Sequence, residues 1–355
     1  MGLSAFGKRQ RGPHYYGAIV NGELTMTRLS IRAIALCVIL AGCSELIVGP
    51  SENNLNVADF VSVGEIIKNQ YAFLQFKRVN WDSLLAVYRP KAEQAQGDEI
   101  YGVLHDLLRE LKDGHIELRT EGGFPTLTYE WPRMQGGKAY SPLVVRKYFD
   151  KELRVTGDGN MEYETLPENI GYIYLVAFAE GSWVYDLDHI LAYFLNTKAL
   201  IFDVRNNGGG HGETANFIVS RFASAPITYV WYSPGGAPRW TYTIVPAGPY
   251  RYLKPVVVLI NGASFSAAEL LPELMKQIPL VTTVGDTTGG GGGSNDVFSL
   301  PSNKRIKIPT SYFKRFDGEM AEWNGVPPDI LVPQTEADIK QGRDRQLERA
   351  ITLLK

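Results

Sequence analysis

This chain is poor in cysteine: of its 355 residues only Cys37 and Cys43 are cysteines, and both lie in one apolar segment near the N-terminus. Neither a disulfide framework nor a Cys-based metal site is therefore available to the folded body, and no metal is expected. An excess of either charge is also lacking. The formal net charge is −2 with acids and bases interspersed, which offers no nucleic-acid surface. Two Gly-rich turns occur, but neither is followed by Gly-Lys-Ser/Thr, and no G-x-G-x-x-G opens a helix. A phosphate cradle is thus disfavoured. Against these absences stand 45% apolar and 21% charged residues, an ordinary globular composition with chain enough for one large domain plus a smaller one.

The N-terminal segment reads as a targeting signal. Met26-Thr-Arg-Leu-Ser-Ile-Arg32 is a short basic region, and Ala33 to Leu40 an apolar core too short to span a bilayer. It ends in Leu40-Ala41-Gly42-Cys43, which resembles the lipobox of bacterial lipoproteins. That resemblance implies cleavage before Cys43, lipidation of Cys43, and an exported protein held at the periplasmic or cell-envelope face by its lipid. An ordinary secretory signal or an uncleaved anchor is the rival reading. Residues before Met26 fit neither, so Met26 is the expected start, with translation of residues 1–25 left open. Residues 1–43 are therefore leader and signal, 44–119 a tether and a helical bundle, and 120–355 the main domain.

Within the bundle, Phe60, Val63, Ile66, Ile67, Tyr71 and Leu74 recur at helical spacing. So do Leu84, Leu85 and Tyr88, then Ile100, Val103, Leu104, Leu107, Leu108 and Leu111, predicting three helices. At Asp113-Gly114 the period gives way to a strand-like Ile116/Leu118 alternation. From Ile170 onward strand and helix alternate. Strands are expected at Ile170–Val176, Ala199–Val204, Ile227–Ile244, Pro255–Ile260, Leu280–Gly285, Val297–Leu300, Arg305–Ile308 and Ile330–Val332. Helices are expected at Val184–Leu195, Thr214–Phe222, after Ser266, and at Asp338–Leu354. That order predicts a mainly parallel sheet with covering helices.

The chain's centre of gravity is Lys254 to Leu271. Pro255 to Ile260 reads as a strand buried on both faces; Asn261-Gly262 turns the chain, and small residues lead into a helix. The turn presents Ser264 and Ser266 at the carboxyl edge of the sheet, where open α/β sheets bind ligands. Ser266-x-x-Glu269 is also a capping-box pattern, so nucleophile and cap are both open readings, and compatible ones. Pro272 removes a hydrogen bond within the helix and predicts a kink.

Four motifs occur in order: Asp113-Gly-His115; Asp203-Val-Arg-Asn-Asn-Gly-Gly-Gly210; Ser266-Ala-Ala-Glu269 with Val284-Gly-Asp-Thr-Thr-Gly289; and Asn324-Gly-Val-Pro-Pro-Asp-Ile330. Together they resemble the S41 peptidases, which include the C-terminal processing and tricorn-type proteases, from about Val57 to the C-terminus. The resemblance implies an α/β fold, a helical bundle followed by a crotonase/ClpP-like peptidase core, with serine peptidase chemistry and no cofactor. It implies Ser266 as nucleophile, with Ser264 the fallback. The processing branch takes its base from a Lys in the Gly-rich turn after the next strand; here Thr288 to Ser294 holds no Lys, and Lys276 lies on the nucleophile's own helix. The tricorn-like branch implies His115 instead, with His211 the competitor. Tricorn carries a Ser before this His where this chain has Gly114. The same resemblance implies Glu322 as the orienting acid, with Asp329 as the structural alternative, and the N–H groups of Gly209 and Ala267 as the oxyanion hole.

The interval from Leu118 to Ile170 is too short for the PDZ domain usual in processing proteases. A reduced segment, Thr126 to Val155, is left to shape the cleft. The expected partner is a peptide or unfolded protein, with the oligomeric state open. The rival functions are a non-catalytic peptide- or lipid-binding lipoprotein on the same scaffold and, more remotely, a crotonase-like acyl-transfer enzyme.

Overall fold

The structure, a computed structural model, describes residues 52–119, 126–181 and 185–355. Cys43, the leader and the start at Met26 lie outside the described residues. Three helices open the described chain, α1 (Glu52–Gln70), α2 (Trp81–Gln94) and α3 (Glu99–Arg109), as the apolar periodicity predicts. Their inner faces, including Phe60, Val63, Ile67, Trp81, Leu104 and Leu108, form one buried cluster. A strand pair, β1 (Glu117–Arg119) and β2 (Thr126–Leu127), follows, then a 3-10 helix over Pro132–Ala139 and the short α4 (Pro142–Val145).

The rest alternates as expected. It comprises β3 (Arg154–Val155), β4 (Met161–Leu166), β5 (Ile170–Leu175), α5 (Asp186–Tyr193), β6 (Ala199–Asp203), α6 (Gly212–Phe222), β7 (Ile227–Tyr232) and β8 (Pro238–Ile244). These are followed by β9 (Val256–Ile260), α7 (Ala267–Met275), β10 (Val281–Gly285), β11 (Gly293–Ser299), β12 (Arg305–Phe313), β13 (Ile330–Leu331), α8 (Glu336–Lys340) and α9 (Arg345–Leu354). Seven strands form one sheet in the order β13-β10-β9-β6-β5-β4-β3, parallel from β13 to β5 and antiparallel beyond. Every residue of β6 and β9 is buried, as strands covered on both faces require. One face packs on α5, α6 and α7, the other on Leu347, Ala350 and Ile351 of α9.

Two features depart from expectation. A second, antiparallel sheet of six strands runs β2-β1-β12-β7-β8, with β11 also on β12. Its β12 residues Ile306, Ile308 and Tyr312 join the bundle's apolar cluster, so this sheet is the seam between bundle and core. The expected terminal helix is two helices, broken where Gly342 takes φ +76 and Asp344 restarts the helix by accepting the Leu347 N–H at 2.9 Å. Pro272, by contrast, sits inside α7 without ending it.

The break places Asp344 for another task. Arg205, just past β6, is fully buried; its guanidinium meets Asp203 at 2.6 Å and Asp344 at 2.8 Å, and Gln346 Oε1 at 3.2 Å. It thereby ties the end of β6 to the start of α9. Truncation leaves two carboxylates buried without a cation, which typically destabilises by about 3–5 kcal/mol. Arg205→Ala is therefore expected to lose that much in urea unfolding; a loss below about 1 kcal/mol, the scale of exposed pairs, contradicts this account.

Candidate active site

Strands β10, β9 and β6 are neighbours, and their carboxyl ends release the three turns that matter: 285–293, 261–266 and 204–211. Asn261 Oδ1 accepts the N–H of Asn206 at 3.0 Å and of Ala263 at 3.1 Å, joining two of them. Ser264 is fully buried; its hydroxyl donates to Val204 O at 2.8 Å and accepts from Asn261 N–H at 3.1 Å. Such a hydroxyl is committed to holding the turn, which removes Ser264 as a fallback nucleophile.

Ser266 differs. It is half-buried and takes φ 59°, ψ −119°, a strained conformation for a residue with a Cβ that persists only where its surroundings impose it. They do so through its backbone: its N–H donates to Glu269 Oε2 at 3.0 Å, and its carbonyl accepts from Glu269 N–H at 2.8 Å and Leu270 N–H at 3.2 Å. The hydroxyl faces the Glu269 N–H in a capping-box arrangement at the start of α7, while that N–H bonds the Ser266 carbonyl at 2.8 Å. The side chain is thus left at the positive end of a helix dipole. Glu269 does more than close a capping box. Its buried carboxylate also accepts from Thr288 Oγ at 2.6 Å and from the N–H groups of Gly290 and Gly291. Burial pushes this carboxyl up to about 6 against the lowering effect of those donors.

His115 comes from the bundle. Asp113 Oδ1 accepts its N–H at 2.8 Å, setting the turn after α3. The imidazole is buried and lies over the Phe265 ring, centroids 4.5 Å apart. A Cβ on Gly291 would meet its Cε1 at 2.7 Å, so the Gly-rich turn passes directly over the ring. Burial, aided by Lys307 and Lys77, holds its pKa down at about 4 although Asp113 pulls the other way. Neither ring nitrogen has a hydrogen-bond partner. Glu322 is buried beside it: one donor atom each of Asp113, His115 and Glu322 lies within 4.8 Å of the others. Burial and then Asp113 push Glu322 up to about 8, and its Oε2 is unpartnered. That donor set resembles a metal site, but the ammonium of Lys77 already sits 2.6 Å from Glu322 and 3.2 Å from Asp113.

Ser266, Ala267 and His115 line one cleft of about 700 Å3, with Gly208, Gly209 and Gly210 along one side and Met134 of the 3-10 helix on another. Of segment 126–155, Met134 reaches the cleft. His211 is at its solvent-exposed edge, paired with Glu180 at 3.2 Å. Asp329 accepts from Thr283 N–H and Oγ at 2.8 and 2.9 Å and pairs with Lys276 at 3.2 Å. Both are thereby committed to fixing β10 against β13. The expected triad is brought together in space but is not hydrogen-bonded as a chain in this conformation.

One expectation needs correcting. The N–H of Gly209 is given to Asn207 Oδ1 at 2.8 Å, because Asn207 is itself anchored on Leu175 O at 2.8 Å. Of the two expected oxyanion donors, only that of Ala267 stands at a position with no intrahelical acceptor. Gly209 is needed for another reason: at φ +91 a Cβ there would lie 2.5 Å from Phe265 O and 2.7 Å from Ser266 Cβ. Lys77, Glu269's grip on the Gly-rich turn and the Asn207 bond carry no sequence signal, since each pairs residues remote in the chain or equally at home in a surface loop.

The sequence profile described as peptidase family S41 matches residues 169–332. Tricorn protease homolog 1 of Streptomyces coelicolor is 29% identical over 187 residues, 52% of this chain and 16% of that protein. The carboxy-terminal-processing protease of Bartonella bacilliformis is 24% identical over 184 residues, 50% of this chain and 42% of that one. The chain thus spans under half the length of these curated relatives. A crystal structure from Parabacteroides merdae, assigned as a peptidase, superposes with a TM-score of 0.74 at 31% identity, covering 84% of this chain and 96% of that one.

Gly209→Ala is expected to destabilise by roughly 1–3 kcal/mol through backbone strain and the Ser266 clash. At Gly208 a Cβ meets nothing within 4 Å, and Gly208→Ala is expected within about 0.5 kcal/mol of wild type. Thermal unfolding of the two variants checks this; equal losses contradict it.

Proposed function

The chain belongs to peptidase family S41, and on that premise we propose that it is a serine endopeptidase with Ser266 as nucleophile, His115 as base and Glu322 as orienting acid. The observation that carries the proposal is Ser266: a strained residue at a helix N-terminus, its hydroxyl in the same cleft as a buried neutral imidazole backed by a carboxylate. Oγ attacks the peptide carbonyl carbon while His115 takes its proton. The oxyanion develops against Ala267 N–H and the start of α7, where one such donor contributes roughly 10²–10³ in rate. Collapse breaks the C–N bond, His115 protonates the leaving amine, and the acyl-Ser266 ester is hydrolysed by water through the same steps.

The pKa shifts dictate the pH dependence. Burial and, among charges, Lys307 and Lys77 hold His115 down at about 4, while burial and then Asp113 push Glu322 up to about 8, so near neutral pH the imidazole is neutral and Glu322 protonated. On the proposed reading Glu322 must be ionised to accept from the imidazole, which a protonated carboxyl does not do. Activity therefore rises as that proton leaves. kcat/KM for an unstructured peptide is expected to climb with an apparent pKa near 8 that belongs to the coupled carboxyls of Glu322 and Asp113; a flat profile from pH 6 to 10 contradicts the assignment.

A fluorophosphonate is expected to label the wild type and not Ser266→Ala, and equal labelling sinks the nucleophile. His115→Ala is expected to lower kcat by roughly four orders of magnitude; that loss in His211→Ala instead would transfer the role. The unpartnered ring nitrogens of His115 favour a second reading, a peptide-binding protein that does not cleave. No labelling with retained peptide binding would select it. Export and anchoring through Cys43 rest on the Leu40-Ala41-Gly42-Cys43 sequence. Incorporation of labelled palmitate is expected in the wild type and lost in Cys43→Ser.

A further inference from the structure

We infer that Lys77 is a positioning residue for the reaction, holding one carboxyl oxygen of Glu322 in a buried ion pair from outside the substrate cleft and favouring its ionised form. The inference rests on the reading of Ser266, His115 and Glu322 as the catalytic set. Lys77 lies in the turn that follows α1 and is not among the residues lining the cleft around Ser266. Its side chain is wholly buried, and its ammonium has three partners: Glu322 Oε1 at 2.6 Å, Asp113 Oδ2 at 3.2 Å and Lys112 O at 3.1 Å. Those use all three donors of the group. The rings of Trp323, Tyr71 and Phe73 surround it at 5.1, 5.6 and 5.6 Å. A lysine so saturated with acceptors has no lone pair to offer, so it is not the serine's base.

Its effect falls on Glu322. Two buried carboxylates, Asp113 and Glu322, share this site, and like charges at such range drive a proton onto one of them. Asp113 is the better served: Tyr71 Oη donates to it at 2.7 Å and His115 N–H at 2.8 Å, and with the Lys77 ammonium they hold it below the usual carboxylate range despite burial. The proton therefore goes to Glu322, and the attraction of Lys77 is what opposes it. The groups facing the site are Tyr71 and Lys77 after α1, Asp113 and His115 after α3, Glu269 of α7, and Glu117 and Lys307 of β1 and β12, which reach His115. Among them Lys77 alone bonds Glu322. With Oε1 held by Lys77, Oε2 is left without a hydrogen-bond partner.

The test is the pH profile of fluorophosphonate labelling and of kcat/KM in the full chain. Lys77→Met is expected to move the rising limb up by at least one unit, giving a roughly tenfold or greater loss of kcat at pH 7 that recovers toward pH 10, with KM little changed. Asp113→Asn, which removes the competing charge and keeps Lys77, is expected to move the limb down. Should Lys77→Met not fold, Lys77→Met with Asp113→Asn restores the charge balance and is expected to return the limb toward the wild-type position. A Lys77→Met enzyme that folds and loses rate equally at every pH overturns the inference, as does an Asp113→Asn limb that does not move down. A wild type that is not labelled at Ser266 overturns instead the triad on which it rests.

Discussion

The site depends on the buried carboxylate of Glu269. Four donors converge on it: Ser266 N–H, Thr288 Oγ and the N–H groups of Gly290 and Gly291. Through one side chain, the turn after β9 is fastened to the turn after β10. The consequence for Ser266 is specific. Its strained backbone is held by N–H and C=O bonds, and because the Glu269 N–H bonds the Ser266 carbonyl at 2.8 Å, the capping box does not depend on the hydroxyl. An orthodox cap rests on the Oγ bonding an orphan helix donor. Here the acid of the capping box looks outward to the Gly-rich turn, which lies flat over His115 because Gly291 has no Cβ.

Around that centre, two buried cations join segments far apart in sequence. Arg205 bridges Asp203 and Asp344, uniting the end of β6 with the start of α9. Lys77 bridges Asp113 and Glu322, uniting the bundle with the loop after β12. Neither is an economical way to gain stability, because desolvating a charge offsets most of what pairing returns. An apolar core would hold these segments as well. What ionic bridges supply is an intolerance of any other arrangement, since a slipped packing strands a charge without its partner.

The strand and helix order from Ile170 onward was legible because strands buried on both faces write themselves as short apolar runs, as in Val256–Ile260. The bundle's heptad-like spacing was legible for the same reason. Ser266 and Ser264 are distinguishable in sequence only by motif, yet the structure separates them physically: the Ser264 hydroxyl is buried on Val204 O, whereas Ser266 is half-buried and lines the cleft. The antiparallel seam was harder to read. Its strands β8 and β11 are largely exposed and polar, so they carry little periodicity. The C-terminal helix was over-read because a single glycine and an aspartate cap, Gly342 and Asp344, interrupt an otherwise helical composition. Lys77 was invisible, since a lone lysine among aromatics normally extends to water. Burial of such a group is decided by partners that fold in from 36 and 245 positions away in the numbering, at Asp113 and Glu322.

The three residues proposed as catalytic come from two parts of the chain. Ser266 and Glu322 belong to the α/β core, whereas His115 arrives from the bundle on the short turn that Asp113 closes. Ser266 is fixed at its own sheet edge by Glu269 and by Gly209 packed against it. The imidazole has no hydrogen bond of its own; it is placed by the Phe265 ring, by the Gly-rich turn and by its own backbone. Its position relative to Ser266 is therefore set by how the bundle seats on β12, through Ile306, Ile308 and Tyr312. Small rotations of a ring held only by packing require no bond to be broken. On the proposed reading, such a base would take up its hydrogen bonds when substrate fills the cleft, as the looser geometry of unliganded sites allows. Proton transfer at His115 would then depend on the seam between bundle and core, where the Lys77–Glu322 ion pair also lies.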